Sequence, residues 1–495
     1  MSNVIRVEKV NEVYLRVFCE DMGVEADLVD FFTYEYPGAK FTPQYRARLW
    51  DGKVRLMDAI RKTLYVGLYD YLVRFAENHQ CVLQNINEIN IHDNITLEEV
   101  QHYAESLKLH GNGRPIDIRD YQLDAIHSGL SNRRGVLLSP TGSGKSLIIY
   151  SMCRWHHDRG RRTLVVVPTT SLVEQMYSDF EDYSSNNGWS VTDHCQKLYS
   201  GFPRQFDRDV LFTTWQSIYK QPKDWFDQFD VVIGDEAHQF KAKSLTTIME
   251  KMPNTKYRIG TTGSLDDKKI NRLVLEGIFG PVHRVTTTKK LQDQGKLANL
   301  KIKAILLKYP DEVRKQCNKL EYQKEIEFIV TNDRRNKVIR NLALSTTGNT
   351  LILFQYVEKH GKVLHSLIQD KVQDRNVYFI SGETDALDRE DIRKKLATET
   401  NAILIASVGT ASTGINIPSI ENIIFASPTK SVIRTLQSIG RGLRLNDNKS
   451  HCNLYDLTDD LHWKSWKNHT LKHGAERYKI YSQEEFPVKL VELEL

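Results

Sequence analysis

The stretch Leu137-Leu138-Ser139-Pro140-Thr141-Gly142-Ser143-Gly144-Lys145-Ser146, continuing into Leu147-Ile148-Ile149-Tyr150, decides the fold of this chain. An apolar run at 136–138 feeds a turn of small residues, then Lys-Ser, then a periodic apolar segment. That order predicts a strand, a phosphate-cradling loop and a helix. Glycines at 142 and 144 let successive backbone N–H groups converge on phosphate oxygens where a Cβ would intrude. A helix beginning near Gly144 adds the positive end of its dipole. Thr141, Gly142, Ser143, Gly144, Lys145 and Ser146 are therefore candidate ATP-binding residues. Lys145 is expected to reach the β- and γ-phosphates as a point charge, and the Ser146 hydroxyl to ligate Mg²⁺. Ser139 stands where the pattern G-x-x-x-x-G-K-[ST] begins with Gly. Alone, the stretch competes with an ordinary Gly-rich turn between strand and helix.

A second element of matching type demotes that plainer possibility. Val231-Val232-Ile233-Gly234-Asp235-Glu236-Ala237-His238 is an apolar run ending in paired acids. It predicts two carboxylates at the C-terminal end of a buried parallel strand, where open α/β sheets bind ligands. Asp235 is expected to hold Mg²⁺, and Glu236 to orient and deprotonate an attacking water.

Around these two elements the chain is 495 residues long, enough for three or four domains with real cores. Its 40% hydrophobic content with mixed charge describes a globular protein. A net charge of +5 leaves polyanion binding to local patches rather than a global field. Cysteines 19, 81, 153, 195, 317 and 452 show no C-x-x-C spacing, so neither a disulfide framework nor a cysteine zinc module is indicated. The N-terminus lacks an apolar signal region, and no apolar run approaches the ~20 residues of a membrane span. A soluble cytoplasmic protein with reduced thiols is expected.

Residues 1–110 are expected to form a small α+β module. Alternation at 4–8 and 13–17 predicts strands, and 25–34 a short helix. The pair Asp51-Gly52 predicts a hairpin turn. Between residues 40 and 55, Lys40, Arg46, Arg48, Lys53 and Arg55 meet one acid, with Phe41, Tyr45 and Trp50 interleaved. Basic charge with aromatic faces suits a nucleic-acid backbone and an unstacked base. The competing possibility is that the aromatics are core and the cations a solvated face. Residues 111–117 read as a linker by composition. Beyond them apolar strands alternate with amphipathic helices at 163–168, 210–214, 230–235 and 258–263, predicting a parallel, doubly wound sheet. The alternation resumes at 351–356, 377–380, 402–406, 423–426 and 452–457, predicting a second α/β domain. The tail 459–495 is expected to be helical.

Two α/β domains with one phosphate loop suggest a motor with ATP between them. Further stretches resemble the superfamily 2 helicase series. Arg119-Asp120-Tyr121-Gln122 resembles the adenine-reading glutamine motif, so Arg119 and Gln122 join the expected ATP site. Pro168 and Thr169, and Thr214 with Gln216, fall in stretches similar to two strand-to-helix motifs that hold phosphates of one strand. Thr262-Gly263-Ser264 resembles the motif that, with His238, couples the nucleotide site to the nucleic acid. Phe354-Gln355-Tyr356 is similar to the fourth motif, and 407–416, including Gly414, to the fifth. Gln437-Ser438-Ile439-Gly440-Arg441-Gly442-Leu443-Arg444 matches the sixth. There Arg441 and Arg444, three apart on one helix face, are expected to act as arginine fingers, and Gln437 as a coupling residue.

With Trp50-Asp51-Gly52-Lys53-Val54-Arg55-Leu56, Trp215-Gln216, 220–226 and 308–312, the likeness extends over nearly the whole chain to the UvsW-type helicases of T4-like phages. The resemblance implies two RecA-like parallel-sheet domains in tandem, a small α+β N-terminal domain and a helical C-terminal tail. The implied limits are 1–110, 111–295, 296–460 and 461–495. It also implies an ATP- and Mg²⁺-dependent DNA helicase, a monomeric motor acting on forks, Holliday junctions and R-loops, with no membrane partner. Three alternatives stay open at this stage: a double-strand translocase subunit, an RNA helicase, and a non-catalytic annealing or scaffold protein.

Overall fold

The computed structural model describes residues 3–89, 91–111, 113–200, 205–265, 269–414, 420–428 and 451–495. The chain divides into two compact units, Met1–Ser139 with Ser143–Thr286, and Pro140–Gly142 with Thr287–Leu495. Among the described residues no helix is long and apolar enough to cross a membrane. All six cysteines are free thiols.

The first unit is built on seven parallel strands in the spatial order Cys195–Leu198, Val210–Thr214, Thr163–Val167, Val231–Asp235, Tyr257–Thr262, Arg134–Leu138, Val282–Arg284. The strands Thr163–Val167, Val231–Asp235 and Tyr257–Thr262 are buried at every position. Successive side chains point to opposite faces, and both faces are covered. Leu137, Val165, Val167, Val231 and Ile233 enter one apolar core, while Val136, Leu164, Val166 and Val232 enter another. A sheet buried on both faces reads as continuous apolar runs, which is how these strands appear in the sequence.

Residues 1–110 belong to this same unit. Their five-stranded sheet runs Met57–Asp58, Thr63–Tyr65, Tyr14–Cys19, Val4–Lys9, Val82–Asn85, with only the last pair parallel. The core formed by Val7, Leu15, Val17 and Phe75 continues into Ile270 and Leu273 of the helix Lys269–Phe279. At Gly67 a Cβ would lie 1.9 Å from the Glu276 carbonyl oxygen, so only glycine permits the approach. Tyr65 and Tyr71 donate to Glu250 and Glu276, each at 2.6 Å, and buried Arg134 donates to the Glu12 carbonyl at 2.9 Å.

The hairpin expected at Asp51-Gly52 does not form. Thr42 N-caps the short helix Pro43–Arg46, its hydroxyl accepting from Tyr45 N, with Pro43 in the first turn. That helix removes the strand expected before the turn. Instead Lys53–Arg55 pairs antiparallel with Thr33–Glu35, closing an excursion over 36–52. The early helix is also shifted to Met22–Phe31, because Asp21 caps it by accepting from Gly23 N and Val24 N. The segment read as a linker contains a short antiparallel pair, His110–Gly111 with Arg114–Pro115.

The second unit is another seven-stranded parallel sheet, ordered Val377–Ile380, Ile403–Ser407, Asn349–Phe354, Ile420–Phe425, His451–Asp460, Asn299–Lys308, Val488–Glu494. The tail is helical over His469–Gln483 and then supplies the edge strand Val488–Glu494. The buried Glu325 carboxylate caps that helix, accepting from His469 N at 2.9 Å and Thr470 N at 2.7 Å.

Candidate functional site

Because the first sheet is wholly parallel, the loops that follow its strands emerge at one edge. That edge gathers the phosphate loop after Arg134–Leu138, Pro168 and Thr169 after Thr163–Val167, and Gln216 after Val210–Thr214. It also gathers Asp235 and Glu236 at the end of Val231–Asp235, and Gly263 and Ser264 after Tyr257–Thr262. The strand Tyr257–Thr262 separates acids from loop, with Asp235 in register with Thr261 and Leu138 with Thr262. Two strand spacings put the acid pair about 10 Å from the root of the loop, a gap suited to a phosphate chain.

In the loop, Gly142 and Gly144 both have φ of +84°, the left-handed region that favours glycine. At Gly144 a Cβ would also meet the Gln122 amide nitrogen at 2.3 Å. Ser139, in place of the first glycine, shares a hydrogen bond of 2.5 Å with the buried Ser143 hydroxyl, so the substitution is absorbed as an internal brace. Lys145 Nζ donates to the Ser139 carbonyl at 3.3 Å, and Ser146 Oγ shares a 2.9 Å hydrogen bond with Tyr183 OH. The loop is held from behind by Tyr121 and Gln122, which donate to the Ser143 carbonyl at 3.1 and 2.8 Å. Gln122 is buried, its Oε1 accepts from Arg119 N at 3.0 Å, and Arg119 Nη1 donates to Tyr121 OH at 2.7 Å. Gln122 thus braces the loop with the same amide that was expected to read adenine.

The acid pair is differentiated by its surroundings. Asp235 is 7% exposed, and its Oδ1 accepts from Thr261 Oγ1 at 2.7 Å. Burial first, and then the charge of Glu236, hold its carboxyl above the ordinary aspartate range, while Lys145 and Thr261 work against them. Glu236 sits at φ +49°, ψ +49°, a left-handed conformation that costs a non-glycine residue roughly 1–3 kcal/mol. His238 Nδ1 lies 3.0 Å from Thr262 Oγ1 and 3.3 Å from Glu236 Oε2. Thr262 Oγ1 in turn donates to the Ser264 carbonyl at 2.9 Å, which leaves it to accept from an Nδ1–H tautomer of His238. One hydrogen-bonded chain therefore runs His238–Thr262–Ser264, and the Glu236 carboxylate lies 3.3 Å from the same His238 nitrogen, so the acid pair stands beside the segment expected to couple it.

The donor set fits the groups the sequence implies. A glycine-opened cradle with one lysine suits phosphates, and a hydroxyl with a buried carboxylate suits a hard, oxygen-seeking Mg²⁺. The raised carboxyl of Asp235 has a consequence for stability. A group whose folded pKa lies above its unfolded value favours folding only at low pH, and that contribution is lost as pH rises through the folded pKa. Near neutrality the ionised Asp235 is therefore a cost. Asp235→Asn keeps the acceptor for Thr261 and is expected to raise Tm by about 1–3 °C without nucleotide at pH 7. Thermal scans at pH 7 and pH 4 check it: the gain shrinks at the lower pH, and an equal gain at both would count against a buried charge.

Thr169 N-caps the helix Thr170–Ser184, its hydroxyl accepting from Leu172 N at 3.3 Å. Thr214 is buried with its hydroxyl on Ser217 Oγ at 3.0 Å, whereas Gln216 is exposed. In the second unit, Gln355 N donates to Ser427 Oγ at 3.1 Å, and Ser407 Oγ pairs with Thr410 Oγ1 at 2.7 Å. Gly414 ends the helix Val408–Gly414. Gln437, Arg441 and Arg444 lie outside the described residues. Thr261 and Tyr183 carry no sequence signal for the nucleotide site, and Tyr121, inside the stretch 119–122, has no signal of its own for its hydrogen bond to the loop.

In the N-terminal region, Lys40, Tyr45, Arg46, Arg48, Trp50 and Asp51 line one pocket. Phe41 is 78% exposed, and none of Phe41, Tyr45 and Trp50 enters the module's apolar core. The Trp50 indole donates to the Lys53 carbonyl at 2.8 Å and packs 5.7 Å from the Tyr36 ring. Arg55 is committed to Asp51, Nη2 to Oδ2 at 2.5 Å, so that pair adds no net charge.

A family profile described as "Type III restriction enzyme, res subunit" matches residues 115–267, and "Helicase conserved C-terminal domain" matches 333–446. "DNA helicase UvsW, N-terminal" matches residues 5–84. The ATP-dependent DNA helicase uvsW of Enterobacteria phage T4 is 33% identical over 491 residues, spanning 96% of this chain and 96% of its own. The crystal structure of T4 UvsW is similar with a TM-score of 0.53 and 32% identity, covering 99% of each chain. The DNA 3'-5' translocase XPB2 of Sulfurisphaera tokodaii is 22% identical over 371 residues, 68% of this chain and 80% of its own.

Proposed function

The chain belongs to the UvsW family of superfamily 2 ATP-dependent DNA helicases, and from that premise we propose that it is a motor that remodels branched DNA. Forks, Holliday junctions and R-loops are its substrates, and the N-terminal pocket is its second grip. The observation that carries this is the pocket of Lys40, Tyr45, Arg46, Arg48 and Trp50, whose aromatics stay out of the core although the module is locked onto the motor unit. A motor tracks one strand with its strand-to-helix loops. A rigidly attached basic and aromatic surface adds a hold on a second arm.

Lys145 grips the terminal phosphates, while Ser146 and Asp235 hold Mg²⁺. When bound, that ion neutralises phosphate charge. Thr261 orients Asp235 through its 2.7 Å hydrogen bond. Glu236 aims an attacking water and takes its proton. Arg441 and Arg444 supply positive charge to the transition state. His238, 3.3 Å from Glu236 and hydrogen-bonded through Thr262 to Ser264, links hydrolysis to the loops that hold Pro168, Thr169, Thr214 and Gln216 on the nucleic acid.

ATPase measured in parallel with no nucleic acid, single strand, duplex, forked DNA and RNA tests the substrate class. Deleting residues 1–110 would strip the cover from Ile270 and Leu273, so surface substitutions are the cleaner probe of the pocket. Arg46→Ala with Arg48→Ala is expected to keep ATPase on saturating single strand and to weaken fork and junction binding. Its log–log salt slope should fall by about 0.7–0.9 per lost phosphate contact. Unchanged fork affinity and slope would remove the pocket from the DNA path.

A further inference from the structure

The helix that begins at the phosphate loop, Lys145–His157, ends at a cluster that the helicase cycle does not use. Its last residue, His157, meets His194, which ends the short helix Val191–His194 just before one strand, and Asp209, the residue before the strand Val210–Thr214. His157 Nε2 lies 3.1 Å from His194 Nδ1 and 3.5 Å from Asp209 Oδ2, and the three ligand atoms fall within 4.8 Å of one another. We propose that His157, His194 and Asp209 bind a first-row transition-metal ion such as Zn²⁺, which clamps the end of this helix to the strand starts.

Four observations support a metal rather than a hydrogen-bonded histidine pair. A tetrahedral Zn²⁺ with Zn–N bonds of about 2.0–2.1 Å has ligand–ligand edges of about 3.3–3.4 Å, and the two measured separations bracket that value. His157 Nδ1 is 3.2 Å from Asp158 Oδ1, and Tyr103 OH donates to Asp158 Oδ2 at 2.6 Å. That carboxylate accepts a hydrogen bond from His157 Nδ1–H, which turns the Nε2 lone pair to the cluster, the usual support of a metal-bound histidine. His194 stacks on Trp189 at 5.2 Å and 14°, which fixes its plane. The site also lies at the C-terminal, negative end of the helix dipole. Two imidazoles and one carboxylate favour zinc-like ions over the Mg²⁺ of the nucleotide site. Asp209 is half exposed, which gives the ion an entry path and room for a water as fourth ligand.

Thirteen helical residues separate the cluster from the loop, about 20 Å, so the role is structural. The test uses the tag-free full chain, stripped with chelator and kept free of nucleotide. Zn²⁺ titration by calorimetry is expected to show one equivalent bound, and Co²⁺ to give the visible bands of a tetrahedral N/O site. Zn²⁺ at a hundredfold excess over its Kd should raise Tm by about 5 °C. Asp209→Ala and His194→Gln should each lose the bands and the Tm rise, with DNA-stimulated ATPase kept. If wild type gives no heat and no Co²⁺ bands, or if both variants bind as wild type does, the cluster is a hydrogen-bonded pair and the proposal fails.

Discussion

Lys145→Ala is expected to lower kcat/KM for ATP by at least about 10²–10³-fold, the usual loss when one pre-placed donor to a developing charge is removed. The lysine has two tasks. Its ammonium grips the terminal phosphates, and at Asp235 it opposes burial and the Glu236 charge, drawing the carboxyl down. Removing it takes the loop's one cation from the phosphates and raises Asp235 further, so less of the metal-binding carboxylate is present at a given pH. The acid limb of any residual turnover should therefore move to higher pH. DNA binding without nucleotide is expected to survive, since the strand-to-helix loops and the N-terminal pocket keep their residues. A steady-state ATPase series over pH with fork binding on the same preparation checks both halves. Turnover at the wild-type level would mean that the loop at 139–146 is not the nucleotide loop.

How much of this site the sequence reveals depends on whether a role is carried by neighbours in the chain or in space. Gly142, Gly144 and Lys145 act through local backbone geometry, and the pattern exposes them. The paired acids follow an apolar run because a strand buried on both faces must be apolar to its end. Thr261 is different. It matters because it pairs with Asp235 across a ladder, 26 residues away in sequence, and nothing in the string marks it apart from any strand threonine. Tyr183 reaches Ser146 from 37 residues away by the same kind of spatial accident. At Asp51-Gly52 the local signal was outweighed by Thr42 and Pro43, which start a helix where one arm of the hairpin was expected. The strand Asn299–Lys308 does carry a period-2 pattern, with Leu300, Ile302 and Ala304 inward. Its partners, His451–Asp460 and Val488–Glu494, lie near the far end of the chain, so only the fold shows that it sits between them in the second sheet.

Glu236→Gln separates binding from chemistry most sharply. The carboxylate stands at φ +49°, a conformation kept by the surrounding structure rather than by the residue's own preference. Glutamine bears the same backbone cost, so the fold should be indifferent to the change. The hydrogen bonds from His238 through Thr262 to Ser264 do not involve the Glu236 side chain, so they persist. What glutamine cannot do is take the proton of the attacking water. Turnover is therefore expected to fall by about 10²–10⁴-fold, the usual contribution of a general base, with the Kd for ATP unchanged. Because the ATP-bound state then persists, DNA affinity measured with ATP should match that measured with a non-hydrolysable analogue. Single-turnover hydrolysis beside equilibrium nucleotide binding gives the answer. A variant that fails to bind ATP would make Glu236 a ligand of the metal or phosphates, and Asp235 would then be the remaining candidate for the base. That exchange of roles is disfavoured by geometry, since Asp235 is 7% exposed and held by Thr261, whereas Glu236 is turned out of the strand by its left-handed backbone.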